Sequence, residues 1–156
     1  MAPRPILLDT NLFLLFVVGM ADRAAIAKHS RLRAYSDEAF DLLLLLFSQA
    51  SDIVVTPNTA AETSNLLRQG VSDPLRSALS EHFGQLLKET REDYVPSALA
   101  AEHPAFVRLG LTDAAISHLA EGEIAILTAD LDLYLHAVSS GRDAVNFNHV
   151  REEHGV

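Results

Sequence analysis

Short apolar runs alternate along the chain with longer segments of helical character. The runs cover residues 6–9, 53–56, 124–128 and 144–147, and a weaker one covers residues 93–96. Runs that are apolar at successive positions, and rich in β-branched residues, are typical of strands buried on both faces of a parallel sheet. The proline of the weaker run favours an edge position. The pattern therefore predicts an α/β fold with a mostly parallel sheet.

Helical segments fill the intervals between these strands. Two of them, residues 11–20 and about 37–50, are apolar over much of their circumference, as buried helices are. A third begins at Pro57, which suits a first helical position, and ends near Gly70. The remaining helices are predicted over residues 74–90, 97–109, 112–121 and 130–140. No linker or repeat interrupts the alternation, so we expect one domain over residues 1–156.

Composition narrows the classes of function and of site. Apolar residues make up 49% of the chain and charged residues 21%, and there is no cysteine. Any metal site must therefore use oxygen or histidine ligands. A net charge of −9 argues against a protein that coats nucleic acid, which should be basic. The apolar runs are too short to span a bilayer and lack a signal-peptide pattern, so we expect a cytoplasmic protein without membrane contact.

One local segment is basic despite the overall negative charge. It contains Arg23, Lys28, Arg31 and Arg33, with His29 among them. Lysine and arginine bind nucleic-acid phosphates, so Lys28, Arg31 and Arg33 are candidate contacts to an RNA backbone. The alternative interpretation is a solvated loop without a ligand.

Four acids occupy comparable places in the predicted topology. Asp9 ends the first strand, and Asp130 follows the strand at residues 124–128. Glu62 lies one turn into the helix after the second strand, and Asp113 begins the helix before residues 124–128. Sites in open α/β sheets form beyond the carboxyl ends of the strands, where the strand order reverses. Asp9 and Asp130 would meet there if their strands are neighbours.

Each acid also has an explanation that involves no ligand. Asp9 and Asp130 could cap the helices that follow them. Thr59 and Glu62 match a capping box, and Asp113 could complement a helix dipole. These roles would suffice if the four acids never meet in space.

Acids that do meet would require a cation. Two unit charges about 4 Å apart repel by roughly 4 kcal/mol at an effective dielectric of 20. Oxygen ligands in a chain without cysteine favour Mg²⁺ or Mn²⁺, which can activate water and neutralise a leaving oxygen. Thr10 and Asn11 follow Asp9, and Thr128 precedes Asp130. Their side chains could hold the carboxylates by hydrogen bonds, or could simply form turns.

These motifs, taken in order, resemble the PIN-domain family. The matching pieces are Leu8-Asp9-Thr10-Asn11, Thr56-Pro57 through Glu62, residues 110–116, residues 126–133 and the terminal strand at residues 144–147. They span nearly the whole chain. The resemblance implies a three-layer α/β fold in which helices flank a mostly parallel, five-stranded sheet.

The same resemblance implies a Mg²⁺- or Mn²⁺-dependent endoribonuclease. The family's metal-binding, catalytic acids correspond here to Asp9, Glu62, Asp113 and Asp130, and Asp132 matches a position that is often acidic. Many compact members are VapC-like ribonuclease toxins, which an antitoxin protein neutralises and which commonly dimerise. RNA, an antitoxin and a second copy of the chain are therefore the expected partners. The stretch between Asp9 and Glu62 is longer here than in compact toxins.

Two other functions compete with the nuclease. One is a catalytically inactive PIN-like protein-interaction module, whose acids would be helix caps or a vestigial cation site. The other is a phosphatase of the haloacid dehalogenase type, which also places an aspartate after its first strand. That chemistry needs a second aspartate two residues later, where this chain has Asn11.

Overall fold

Five parallel strands form one sheet at the centre of the computed structural model, which describes residues 2–156. The strands are β1 (Pro5–Leu8), β2 (Asp52–Val55), β3 (Arg91–Glu92), β4 (Ala125–Thr128) and β5 (Ala144–Asn146). Their order across the sheet is β3-β2-β1-β4-β5, and every neighbouring pair is parallel. The order reverses between β1 and β4, which is where an open α/β sheet forms a crevice.

Ten helices within the described residues flank this sheet. They are α1 (Thr10–Ala21), α2 (Ala25–Lys28), α3 (Asp37–Ser48), α4 (Pro57–Gln69), α5 (Leu75–Glu89), α6 (Ser97–Ala101), α7 (Phe106–Leu109), α8 (Leu111–Leu119), α9 (Leu131–Ser139) and α10 (Phe147–His154). The predicted three-layer α/β fold is confirmed. None of the helices described for residues 2–156 has the length and apolar character needed to cross a membrane.

Both faces of the sheet are buried, which explains the unbroken apolar runs of the strands. Side chains alternate between the faces along each strand. Leu8 packs with α1, α3 and α5 in the larger core cluster, whereas its neighbour Leu7 packs with Ile116 and Leu133 on the other face. Helix α1 is buried along most of its length because it is apolar nearly all round.

The carboxyl ends of β1 and β4 lie side by side. Leu8 pairs with Leu127 across the two strands, and the Asp9 amide donates to the Leu127 carbonyl at 3.3 Å. The prediction that the strands before Asp9 and Asp130 are neighbours is therefore confirmed.

The structure corrects three of the predicted elements. The helix predicted over residues 97–109 is divided into α6 and α7 around Pro104, whose ring and missing amide interrupt helical hydrogen bonding. The edge strand covers Arg91–Glu92 rather than residues 93–96, and Asp93 only extends it with one hydrogen bond to Val55. Helix α10 was not predicted. It begins directly after β5, where the Asn146 side chain accepts from the Asn148 amide.

His29 anchors the basic segment from inside the protein. The side chain is fully buried, and its Nδ1 accepts a hydrogen bond from the Arg31 amide at 3.1 Å. Nε2 must then carry the ring hydrogen, which it donates to the Leu67 carbonyl at 3.2 Å. Burial lowers the pKa of His29, so the ring is neutral at pH 7. His29 is therefore a structural residue and not part of a basic surface.

The exposed part of the basic segment is smaller than its sequence indicates. Arg23 pairs with Asp41 at 2.7 Å, so its charge is largely compensated. The remaining cations are exposed and enter no ion pair described for residues 2–156; they are Lys28, Arg31 and Arg33.

Gly70 packs directly against the His29 ring, which leads to a stability prediction. A β-carbon added at Gly70 would overlap that ring, whereas one added at Gly84 inside α5 would meet nothing within 4 Å. We expect Gly70→Ala to lower the free energy of unfolding by about 1–3 kcal/mol through overpacking. The matched control Gly84→Ala should raise it by about 0.5–1 kcal/mol, because alanine favours a helix interior over glycine. Urea unfolding of both variants measures whether the free energy of unfolding falls or rises. A Gly70→Ala variant that is more stable than the wild type would contradict the placement of His29.

Candidate metal centre

A pocket of about 190 Å³ opens beyond the carboxyl ends of β1 and β4. All four predicted acids line it, namely Asp9, Glu62, Asp113 and Asp130. Leu66 and two of the predicted supporting residues, Thr10 and Asn11, complete the lining. The acids come from four separate parts of the chain. The structure thus brings them together at the place where the strand order reverses.

Asp9 caps a helix and faces the pocket at the same time. Its Oδ1 accepts from the Leu12 amide at 3.0 Å as the N-cap of α1. The predicted capping role of Asp9 is therefore confirmed, but it involves only one of the two carboxylate oxygens. Its Oδ2 accepts from the Ala129 amide at 2.8 Å and from the Thr128 hydroxyl. Burial raises the pKa of Asp9, and these three hydrogen bonds oppose the increase. The carboxylate is therefore held in one orientation.

Glu62 is held by two hydroxyl groups and takes no part in a capping box. The N-cap of α4 is Thr56, whose hydroxyl accepts from the Thr59 amide at 3.1 Å, so Thr59 already lies inside the helix. Glu62 accepts from Thr10 at 3.0 Å and from Thr112 at 2.6 Å. The predicted capping box is therefore wrong, and the carboxylate bridges the first turns of α1 and α8.

Asp113 accepts no hydrogen bond described for residues 2–156, and its pKa is strongly raised. Burial, together with the smaller effects of the negative charges of Asp130, Asp9 and Glu62, raises its pKa from 3.8 to about 7. Asp113 lies in the first turn of α8, where a helix dipole would favour the ionised form. Burial and repulsion outweigh that effect, so the dipole alternative does not account for this residue.

Asp130 is joined to Asp9 through Thr128. The Thr128 hydroxyl donates to Asp9 and accepts from the Asp130 amide at 2.9 Å, which is a supporting position of the kind predicted. Asp130 Oδ1 accepts from the Leu133 amide at 3.1 Å, so this residue caps α9 while it lines the pocket. The Asn148 side chain donates to the Ala129 carbonyl at 3.2 Å and fixes the turn between them.

Other residues named from the sequence lie outside the pocket wall. Asp132 is exposed and pairs with Arg108 at 3.3 Å, so the structure does not place it with the other acids. The candidate RNA contacts Lys28, Arg31 and Arg33 do not line the pocket either.

Sequence reasoning missed several neighbours of the pocket. Thr112 precedes Asp113, and a threonine at a helix start is a weak signal that could have identified it. Tyr35 and Arg151 gave no signal, because they lie in a loop and in an unpredicted helix. Burial raises the pKa of the Tyr35 phenol, and the charge of Asp9 adds to this. The Arg151 guanidinium lies 5.0 Å from the Tyr35 ring, so a phenol and a cation lie within electrostatic reach of Asp9.

The donor set fits a hard divalent cation. The titratable groups in the wall are all carboxylates, and such oxygens suit Mg²⁺ or Mn²⁺. Within residues 2–156, however, no three His, Cys, Asp or Glu side chains are already gathered as a metal site. The four acids share a wall without converging on one point. Binding would therefore require side-chain rotation, for which Asp113 is the least restrained.

Comparison with known proteins supports the fold alone. No family model matches this sequence, and no curated protein matches it. Among solved structures, the chain is similar to the crystal structure of PAE2754 from Pyrobaculum aerophilum, with a TM-score of 0.55 and 18% sequence identity. The alignment covers 97% of this chain and 90% of that chain. The relationship to the PIN-domain family remains a prediction.

Proposed function

We propose that the protein is a Mg²⁺- or Mn²⁺-dependent endoribonuclease that hydrolyses RNA phosphodiesters. The observation that supports this most is the meeting of Asp9, Glu62, Asp113 and Asp130 in one pocket. Carboxylates at such proximity repel one another, and the raised pKa of Asp113 reflects burial first and this repulsion second. A divalent cation would relieve the repulsion, and hydrolysis of a phosphodiester is a reaction that such a cation assists.

The residues of the pocket would divide the work as follows. Asp113 and Asp130 have carboxylate oxygens without a hydrogen bond described for residues 2–156, and these oxygens would bind a cation. When bound, the cation would lower the pKa of water and neutralise charge on the leaving oxygen. Glu62, held by Thr10 and Thr112, is placed to orient a water molecule or complete the ligand set. The hydrogen bonds that hold the Asp9 and Glu62 carboxylates in place would reduce the entropy lost when a cation and a substrate bind.

RNA would reach the pocket with the help of local cations, because the net charge of −9 repels a polyanion. Lys28, Arg31 and Arg33 are exposed and remain the candidates for backbone contacts. A toxin role, with an antitoxin partner, a homodimer and a cytoplasmic location, belongs to the same proposal and rests on the family resemblance.

The direct test incubates the purified chain with single-stranded RNA and Mn²⁺, with and without EDTA. We expect cleavage that EDTA abolishes. Isothermal titration with Mn²⁺ on the same preparation separates the nuclease from the inactive interaction module. A folded chain that gives neither heat nor cleavage would support the module.

Thr112→Val tests whether the position of Glu62 matters. The substitution removes the hydroxyl that donates to Glu62 at 2.6 Å while it preserves side-chain shape. Groups that hold a metal ligand typically contribute 10–100-fold, so we expect about that loss in Mn²⁺ affinity and in cleavage rate. Thr63→Val is the matched control on α4, because the buried Thr63 hydroxyl has no hydrogen-bond partner within residues 2–156. Equal activity of the two variants would refute the positioning role.

A further inference from the structure

A second pocket of about 190 Å³ lies between α8, β4 and α9, and shares no residue with the acidic pocket. We call it the histidine pocket, and the residues that matter for its chemistry are His103, Ser117, Glu121, Ile126, His136 and Arg142. Ser117 lies one helical turn beyond Asp113 on α8, and Ile126 precedes the end of β4. The histidine pocket is therefore displaced from the acidic pocket toward the amino ends of the strands.

Much of the wall is apolar and the pocket is of a size to hold one ring. Ile126 and Ala137 are buried, and Ala120 and Pro104 complete the apolar lining. Apolar cavities of roughly 150 Å³ bind benzene, so a space of about 190 Å³ can hold a six-membered ring with one substituent. The size excludes a nucleotide or a peptide as the occupant of the enclosed part.

Three polar groups in the wall lack a protein partner within residues 2–156. Ser117 is only 4% exposed, and its hydroxyl has no hydrogen-bond partner. A buried polar group without a partner costs about 1–3 kcal/mol of stability. The Arg142 guanidinium enters no ion pair. The His136 ring contacts His103 edge-on at 5.8 Å but forms no side-chain hydrogen bond. These groups can therefore serve a ligand.

Of the other polar groups in the wall, the Ser140 hydroxyl is exposed to solvent, whereas His103 and Glu121 are paired with each other. His103 Nδ1 accepts from the Ala105 amide at 3.1 Å, so Nε2 carries the hydrogen and donates to Glu121 at 3.2 Å. Both nitrogens of His103 are thus occupied, which argues against a metal ion held by the two histidines. The Glu121 carboxylate is directed at His103, which reduces its repulsion of an anion.

Among the described residues that line the pocket, the charged side chain without a partner is a cation. Burial lowers the pKa of His136, and the nearby His103 and Arg108 lower it further. Arg142 adds a permanent cation at the mouth. An anionic group at this place would pair with the Arg142 guanidinium, because guanidinium and carboxylate groups bind well to each other.

We propose that the histidine pocket binds a small organic anion, a monocyclic aromatic carboxylate, whose carboxylate group pairs with Arg142 and whose ring lies against the apolar wall. The Ser117 hydroxyl and the His136 ring supply further hydrogen-bonding groups. This site is independent of the proposed nuclease function, because no acid of the metal centre takes part in it.

Benzoate titrated into the full chain tests this proposal, with binding followed by calorimetry and by the side-chain NMR signals of His136. We expect saturable binding of one benzoate per chain with a Kd of about 1 mM or below. Arg142→Ala should weaken binding at least tenfold, and benzamide, which has the same ring without the charge, should bind at least tenfold more weakly. Arg68→Ala is the control, because Arg68 is exposed and does not line this pocket.

The same experiment can overturn the site. Arg142 is exposed, so its alanine variant is expected to fold, which thermal unfolding will verify. Absence of saturable benzoate binding to the folded wild-type chain would remove the proposal. Equal affinities of the wild-type and Arg142→Ala chains, or of benzoate and benzamide, would show that the pocket does not recognise an anion.

Discussion

Asp113→Asn is expected to abolish Mn²⁺-dependent RNA cleavage while it stabilises the metal-free fold. Asparagine has nearly the shape of aspartate but cannot supply an anionic ligand. If the metal contributes several kcal/mol to the transition state, loss of about 3 kcal/mol slows cleavage by about 100-fold or more. The stability gain follows because Asp113 accepts no hydrogen bond described for residues 2–156 and its charge is repelled by three other acids.

The stability gain should depend on pH. The pKa of Asp113 is about 7 in the folded chain against 3.8 for the ordinary group, so the folded state holds the proton more tightly. The free energy of unfolding of the wild type therefore falls as pH rises from about 4 to about 7. Asparagine does not titrate. The variant's advantage should be small near pH 4, intermediate at pH 5 and largest at pH 8, where it should reach up to a few kcal/mol, less whatever solvent screening removes.

Urea unfolding in EDTA at pH 5 and pH 8, with cleavage assays in Mn²⁺, measures both effects. Asp132→Asn is the matched control, because Asp132 is exposed, pairs with Arg108 and lies outside the pocket. It should leave cleavage nearly unchanged. Undiminished cleavage by Asp113→Asn would refute its role, and a stability gain of equal size at both pH values would contradict the raised pKa.

Asp9→Asn should also abolish cleavage, by a similar factor, but it should destabilise the fold. The Asp9 carboxylate accepts from the Leu12 amide on one oxygen, and from the Ala129 amide and the Thr128 hydroxyl on the other. An asparagine has only one oxygen, so its NH₂ group must face an amide donor in either orientation. A buried donor left without an acceptor costs about 1–3 kcal/mol, which we expect as the loss in free energy of unfolding.

The two variants together separate ligand binding from structural support. Both remove one negative charge from the same pocket, yet their effects on stability in EDTA at pH 8 should have opposite signs. Circular dichroism must show that Asp9→Asn is folded under the assay conditions. A chain with Asp9→Asn that unfolds at the same urea concentration as the wild type would contradict the three-donor arrangement around this carboxylate.

Local patterns in the sequence were sufficient for most of the architecture. Unbroken apolar runs predicted four of the five strands, because a strand covered on both faces excludes polar residues. Pro57 and Gly70 bounded α4 correctly, although Gly70 ends the helix in an ordinary right-handed conformation and is required by the close approach of His29. Asp9 and Asp130 were placed correctly at strand ends, because each follows an apolar run that forms a strand. Helix α10 was missed because it has no strong local signal, whereas the division of residues 97–109 has such a signal in Pro104, which the predicted helix ran through.

The tertiary structure decided which side chains meet. Thr112 and Glu62 are 50 residues apart, and Thr128 and Asp9 are 119 apart, so no periodicity predicts either hydrogen bond. Asp132 was a candidate ligand because it matches a position that is often acidic in the PIN-domain family, but its exposed side chain pairs with Arg108. A sequence determines where strands and helices form because those preferences are local. Which carboxylates repel one another depends on strand order and helix docking, which only the packing of the whole chain establishes.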